Sequence, residues 1–353
     1  MSTSDRNRSS RSERMRKRRR KTRIVRGGLI LAALLLLAII LMIVFAKPGK
    51  DGQEEPGSSS GEGIVNSQSM EGESTETPVP TETPEPTPEE EPVQILTEGL
   101  HSDYALLLRL SDNEILMSKA GTDRMYPASM TKIMTAIVAI ENLPNLEEQI
   151  TVTAEQINPA YELGASMAGF NAGETVTVRD LLYGVLLPSG ADACAALADR
   201  IAGSEQAFAE LMNQKAQELG MENTHFVTAS GLHDPNHYTT CYDIAKLLEY
   251  AVQNDTFRTI FTSPAYTTTP TEYHPEGIPL HGTMFSQLAS PQLDNGGVIE
   301  GGKTGFEDAA GRCLASLALI DGEEYILVTG HAADIDEGVP YHIADALYVY
   351  NQI

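Results

Sequence analysis

Hydrophobic and polar positions change their pattern twice along the chain. Gly27 to Ala46 is apolar throughout and carries no charge. As a helix its 20 residues span about 30 Å, the thickness of a hydrocarbon core, which predicts one transmembrane signal-anchor helix over 27–46. Residues 47–97 then show no apolar period. Lys47-Pro48-Gly49-Lys50 breaks the helix, and a Gly, Ser and Glu stretch runs into TETPVPTETPEPTPEEEP at 75–92. Repeated proline removes backbone donors, repeated glutamate repels itself, and too few apolar groups remain to offset the entropy of ordering. This predicts a disordered stalk over 47–97.

From residue 98 the pattern is that of packed structure. Tyr104–Leu110 and Ile115–Ser118 flank the polar turn Ser111-Asp112-Asn113-Glu114 and predict a hairpin. Ser129–Asn142 places Ile133, Ala136, Ile137 and Ile140 at three- and four-residue spacing and predicts a helix. Val176–Leu187 repeats that stripe until Pro188 ends it. Asp192–Ala202 is an Ala-rich helix, Ser204 caps a helix over Glu205–Leu219, and Thr240-x-x-Asp243 opens another to about Gln253. Arg312–Ile320 and Glu324–Gly330 are strands about Asp321-Gly322, and Tyr341–Gln352 is a terminal helix. Strands, helices, then strands again predict an α+β domain over 98–353. In it the early hairpin joins the late strands in one antiparallel sheet flanked by helices.

Charge adds an orientation. The 353 residues hold 25 Lys and Arg against 49 Asp and Glu. Residues 1–26 hold 12 basic and two acidic residues, a net of +10, so the remainder nets −34. A basic flank ahead of an apolar span marks the cytoplasmic side, which predicts a single-pass membrane protein with its body outside. The competing reading is a signal peptide cleaved after Val44-Phe45-Ala46. The apolar run, however, exceeds the ~7–15 residues of a signal core. The acidic body repels phosphate backbones and argues against nucleic acid as a partner.

Cys194, Cys241 and Cys313 are odd in number and lack a CxxC, which argues against a disulfide framework or a zinc ribbon. His225, His233 and His237 have a loose spacing interrupted by Pro235, so no helical metal pair is expected and no metal or cofactor is assigned.

Candidate chemistry begins at Pro127-Ala128-Ser129-Met130-Thr131-Lys132. A serine at a helix start gains from the N-terminal field, and a lysine one turn on can take its proton if burial or a nearby cation lowers its pKa. Taken alone, Ser-x-x-Lys is a weak signal that an N-cap serine beside a surface lysine explains as simply. Two further pieces add weight. Leu187-Pro188-Ser189-Gly190-Ala191-Asp192 puts a hydroxyl in a tight break between helices. Glu300-Gly301-Gly302-Lys303-Thr304-Gly305 puts a lysine on a Gly-flanked strand whose small residues let a substrate backbone approach its edge.

These three pieces, in this order, resemble the penicillin-binding D-alanyl-D-alanine carboxypeptidases of peptidase family S11, with their motifs Ser-x-x-Lys, Ser-x-Asn and Lys-Thr-Gly. GASMAGF at 164–170, MENTHFVTASGLHD at 221–234, HYTTCYDIA at 237–245 and GGKTGFEDAAGRC at 301–313 extend the likeness over about 95–350. The resemblance implies a β-lactamase-like fold. It also implies a penicillin-sensitive serine hydrolase that removes the terminal D-alanine from peptidoglycan stem peptides, with β-lactams as inhibitors. Ser129 would be the acylated nucleophile, Lys132 its base and Ser189 the proton relay to the leaving amine. Lys303 would hold Lys132 partly deprotonated by like charge and, with Thr304 and Gly305 on the same strand, bind the terminal carboxylate. The backbone N–H groups of Ser129 and Phe306 would form the oxyanion hole.

Three departures stand out. Ala191 replaces the family's Asn and no Arg or Lys follows Arg312, and the second β-rich domain of many relatives is not expected. The first two keep open a catalytically weak relative that binds cell-wall peptides. A β-lactamase is the third reading, and the Glu-x-x-Leu-Asn it would need after Ser189 is missing.

Overall fold

The computed structural model describes residues 95–335 and 338–353. The expected basic segment (1–26), membrane helix (27–46) and the stalk up to residue 94 lie outside the described residues. Among the described residues no helix is long and apolar enough to cross a membrane. Ile95 is already buried, and the Leu96 N–H donates to Gln352 Oε1 at 2.7 Å, so packing starts within the stretch assigned to the stalk.

The chain opens with the hairpin β1 (Tyr104–Arg109) and β2 (Glu114–Lys119). A 3-10 turn over Ala128–Met130 leads into α1 (Thr131–Asn142), followed by β3 (Gln149–Thr151), α2 (Ala154–Glu162) and β4 (Thr175–Thr177). Then come α3 (Val178–Leu186), α4 (Ala191–Ala202), α5 (Glu205–Glu218), α6 (Cys241–Val252) and α7 (Asp255–Phe261). Short strands β5 (Ala265–Thr267) and β6 (Pro279–His281) precede the long strands β7 (Val298–Glu307), β8 (Gly311–Ile320) and β9 (Glu323–Ala332), and α8 (Tyr341–Tyr350) closes the chain.

The main sheet has the order β2-β1-β9-β8-β7 with every pair antiparallel, so the first hairpin does join the last strands. Its strands are apolar on both faces because both faces are covered. Leu106, Leu108, Ala315, Leu317, Ile326 and Val328 face the helical core. Ala105, Leu107, Leu314, Ala318 and Leu327 face the other way, against Ile343, Ala346 and Val349 of α8. The α+β architecture therefore stands, with the sheet between α8 and the helical body.

The helix α1 lies at the centre of that body, and ten consecutive residues from Thr131 to Ile140 are buried. A helix buried on every side is enclosed by others, so Lys132 is carried out of water by its position. The predicted caps form. The Ala207 N–H donates to Ser204 Oγ at 3.1 Å, and the Asp243 N–H donates to Thr240 Oγ1 at 3.0 Å. Two helix starts shift. α1 begins at Thr131, leaving Ser129 in the 3-10 turn, and α3 begins at Val178 because Thr177 caps it through the Asp180 N–H at 3.1 Å.

Candidate active site

Six segments that are distant in sequence converge on one cleft of about 280 Å³. They are the turn before α1, the loop after α2, the break between α3 and α4, the loop after α5, the stretch after β6, and the β7–β8 hairpin with its edge strand β7. A cavity of about 460 Å³ lies elsewhere, lined by Tyr104, Tyr126 and Tyr238, and holds none of the expected catalytic side chains.

Ser129 and Lys132 meet as expected, with Lys132 Nζ 2.9 Å from Ser129 Oγ. The same nitrogen donates to the Ser230 carbonyl at 2.6 Å, which holds the lysine toward the serine. Ser189 and Lys303 form a second pair at 3.0 Å, and Lys303 Nζ also donates to the Thr304 carbonyl at 2.8 Å. Thr304 Oγ1 lies 2.7 Å from Thr283 Oγ1. Gly305 is where the strand meets the Ser129 turn, because a Cβ there would lie 3.1 Å from the Ser129 nitrogen. Phe306 is exposed at the cleft edge under the Arg312 guanidinium, 4.8 Å from its ring centre, and Arg312 is held by Asp334 at 2.7 Å. All seven expected residues thus lie together on or beside the cleft. Ala191 opens α4 with its N–H on the Ser166 carbonyl at 2.8 Å, and its side chain brings no amide.

Burial sets the electrostatics. It lowers Lys132 from its usual 10.5, against the pull of acidic groups that include Glu307 and Asp192. It lowers Lys303 well below 10.5, and the charge of Lys132 lowers Lys303 further. Burial is thus the leading cause at both lysines, and the like-charge lowering falls on Lys303 rather than, as expected, on Lys132. Two ammonium groups in one dry site repel, which favours the neutral form of one of them. Cys194, pushed up to about 12 by burial, stays a neutral thiol in their neighbourhood.

In the site, two non-glycine residues hold left-handed backbone. Ala128 has φ +46° and Ser189 has φ +67°. A buried chain of hydrogen bonds fixes the first. The Val227 N–H donates to His237 Nδ1 at 3.1 Å, so His237 Nε2–H donates to Thr131 Oγ1 at 2.7 Å. Thr131 Oγ1 donates in turn to the Ala128 carbonyl at 2.8 Å. Gly231 (φ +80°) completes the clamp, because a Cβ there would lie 1.9 Å from the Ala128 oxygen. Thr131, Ser230, Gly231, His237 and Thr283 carried no role in the sequence. Three of them sit in stretches that extend the resemblance, which was the only available signal. His225 bonds the Asn236 carbonyl and His233 packs edge-on against Tyr126. Among the described residues no His, Cys, Asp or Glu group is arranged to hold a metal ion.

The buried histidines predict acid sensitivity. Burial lowers both His237 and His342 to about 4 from the usual 6.5. The unfolded chain therefore binds more protons between those values, and stability falls as pH drops from about 6.5 to about 4. Each histidine contributes up to about 3 kcal/mol of that loss. Urea unfolding at pH 7 and pH 4.5 should show it, and a His237→Asn variant should show a shallower fall.

The comparisons with known proteins join this geometry to a family. A D-alanyl-D-alanine carboxypeptidase (peptidase S11) family model matches residues 90–333, more than half of the chain. The chain belongs to that family. It is 31% identical over 214 residues to the D-alanyl-D-alanine carboxypeptidase DacF of Bacillus subtilis, covering 61% of this chain and 53% of that protein. It is 39% identical over 160 residues to the D-alanyl-D-alanine carboxypeptidase of Streptomyces sp. strain K15, covering 43% of this chain and 55% of that protein. The crystal structure of the Streptomyces K15 DD-transpeptidase aligns with TM-score 0.65 and 29% identity, over 73% of this chain and 98% of that one. The chain thus spans about half the length of the curated relatives it matches.

Proposed function

We propose that the protein is a serine D,D-carboxypeptidase, anchored by its N-terminal helix to a bacterial membrane, that trims the terminal D-alanine from peptidoglycan stem peptides. The observation that carries this reading is the Ser129–Lys132 pair at 2.9 Å in a cleft shared with the Ser189–Lys303 pair.

Neutral Lys132 takes the proton of Ser129 Oγ as the oxygen attacks the carbonyl between the two D-alanines. The tetrahedral oxygen is held by the Ser129 and Phe306 N–H groups. Collapse breaks the C–N bond, and the proton passes through Ser189 to the departing amine. Lys303, Thr304 and Arg312 hold the terminal carboxylate. Water then attacks the Ser129 ester, with the same lysine taking its proton, and frees the shortened peptide. Penicillin follows the first half of this path and leaves an adduct on Ser129.

The purified protein should release free D-alanine from a diacylated Lys-D-Ala-D-Ala peptide, read by a coupled D-amino-acid oxidase assay. A folded protein with no release would favour the peptide-binding reading suggested by Ala191. Transfer of the acyl group to an added amine in preference to water would favour a transpeptidase.

A further inference from the structure

Glu307 is the one acidic side chain lining the Ser129 cleft. Among the described residues its half-buried carboxylate accepts no hydrogen bond and joins no ion pair; its ionisable neighbours are His233, Lys132 and Asp308. The reaction outlined above leaves it without a task.

Its place along β7 suggests one. β7 is an edge of the main sheet, and its side away from β8 is bridged at its start by Gln292 at Val298. Its side chains alternate, so positions 303, 305 and 307 share a face. Lys303 reaches Ser189 from that face, and Gly305 meets the Ser129 turn there. Glu307 therefore projects into the same cleft, about 7 Å beyond the level of the nucleophile at ~3.4 Å per residue.

A peptide laid along this edge has its carboxylate at Lys303 and Thr304 and its reacting carbonyl at Ser129. The D-alanine of the acyl part takes up about 3.5 Å of that length. The residue before it then comes alongside Glu307. We propose that Glu307 binds a primary ammonium on the side chain of the residue preceding D-Ala-D-Ala, so that stem peptides with a free amine at that position are preferred. This assignment rests on the D,D-carboxypeptidase reading and names the substrate feature that the same cleft selects.

The test compares D-alanine release from Nα-acetyl-Lys-D-Ala-D-Ala and from its Nα,Nε-diacetyl counterpart, using the full-length protein in detergent. The wild type should favour the free amine by about five- to tenfold in kcat/KM, as for a half-buried charge pair. The preference should lie mainly in KM and shrink as salt is raised. Glu307→Gln should bring the two substrates together. No preference in the wild type would overturn the assignment. So would a Glu307→Gln variant that slows both peptides equally, since Glu307 would then act through Lys132. Release from neither peptide by the wild type would instead overturn the carboxypeptidase reading itself, and this assignment with it.

Discussion

Lys132→Met is expected to give a folded protein whose acylation by penicillin is about 10³–10⁴-fold slower. Methionine matches the lysine stem in volume and removes an ionisable amine that α1 holds almost wholly out of water, at 2% exposure. Replacing a buried ionisable group by an apolar group of similar shape is commonly neutral or stabilising. The exchange also leaves the Ser230 carbonyl without its 2.6 Å donor, a loss of about 1–3 kcal/mol. The two effects nearly offset, so the melting temperature should stay within a few degrees. Ser129 would then have no base. The wild type carries the matching pH signature. With neutral lysine as the proposed proton acceptor, acylation should rise with pH and level off below 10.5, because burial lowers Lys132. As pH falls below that lowered value the rate should drop about tenfold per unit. Stopped-flow acylation across pH 5–10 measures both.

Gly231→Ala should be the most damaging glycine-to-alanine change among the described residues. At φ +80° the residue is in left-handed backbone, and the added Cβ would sit 1.9 Å from the Ala128 oxygen and 2.9 Å from Thr131 Oγ1. Something must move, and both neighbours belong to the clamp that sets the Ser129 turn. The expected cost is about 2–4 kcal/mol of stability, from overpacking added to left-handed strain. Displacing the serine by even ~1 Å should slow acylation by about 10²-fold. Gly203→Ala separates the two causes. That glycine has a similar φ of +75° with nothing near its Cβ position, so it should lose only about 1–2 kcal/mol and keep its acylation rate. Equal effects at the two sites would mean that the clamp is not what places the nucleophile.

Much of the fold was legible because its signals are local. Ser204 and Thr240 cap helices in the structure as their spacing implies. The strands about Asp321-Gly322 pair as a hairpin and extend only one or two residues past their predicted ends. The ribbon of β3 and β4 was not legible, since three-residue strands carry no alternation to detect. α2 escaped for a different reason. Its sequence AEQINPAYE contains Pro159 and buries only Ala160, so neither propensity nor a stripe marked it. In the site, motif residues were legible while their supports were not. His237 and Thr131 act through a contact between residues 106 apart in sequence, which only the tertiary fold creates. Glu307 looked like one more charge in an acidic body until the strand alternation turned it into the cleft.

The central claim is that Ser129 is an activated nucleophile, despite Ala191 in the second motif. Mass spectrometry of the intact protein after incubation with benzylpenicillin tests it most directly, beside Ser129→Ala. The account predicts a stable mass gain of one penicillin in the wild type, mapped to the peptide containing Ser129, and none in the variant. An unmodified wild type that is folded by circular dichroism, or an adduct that persists in Ser129→Ala, would contradict it.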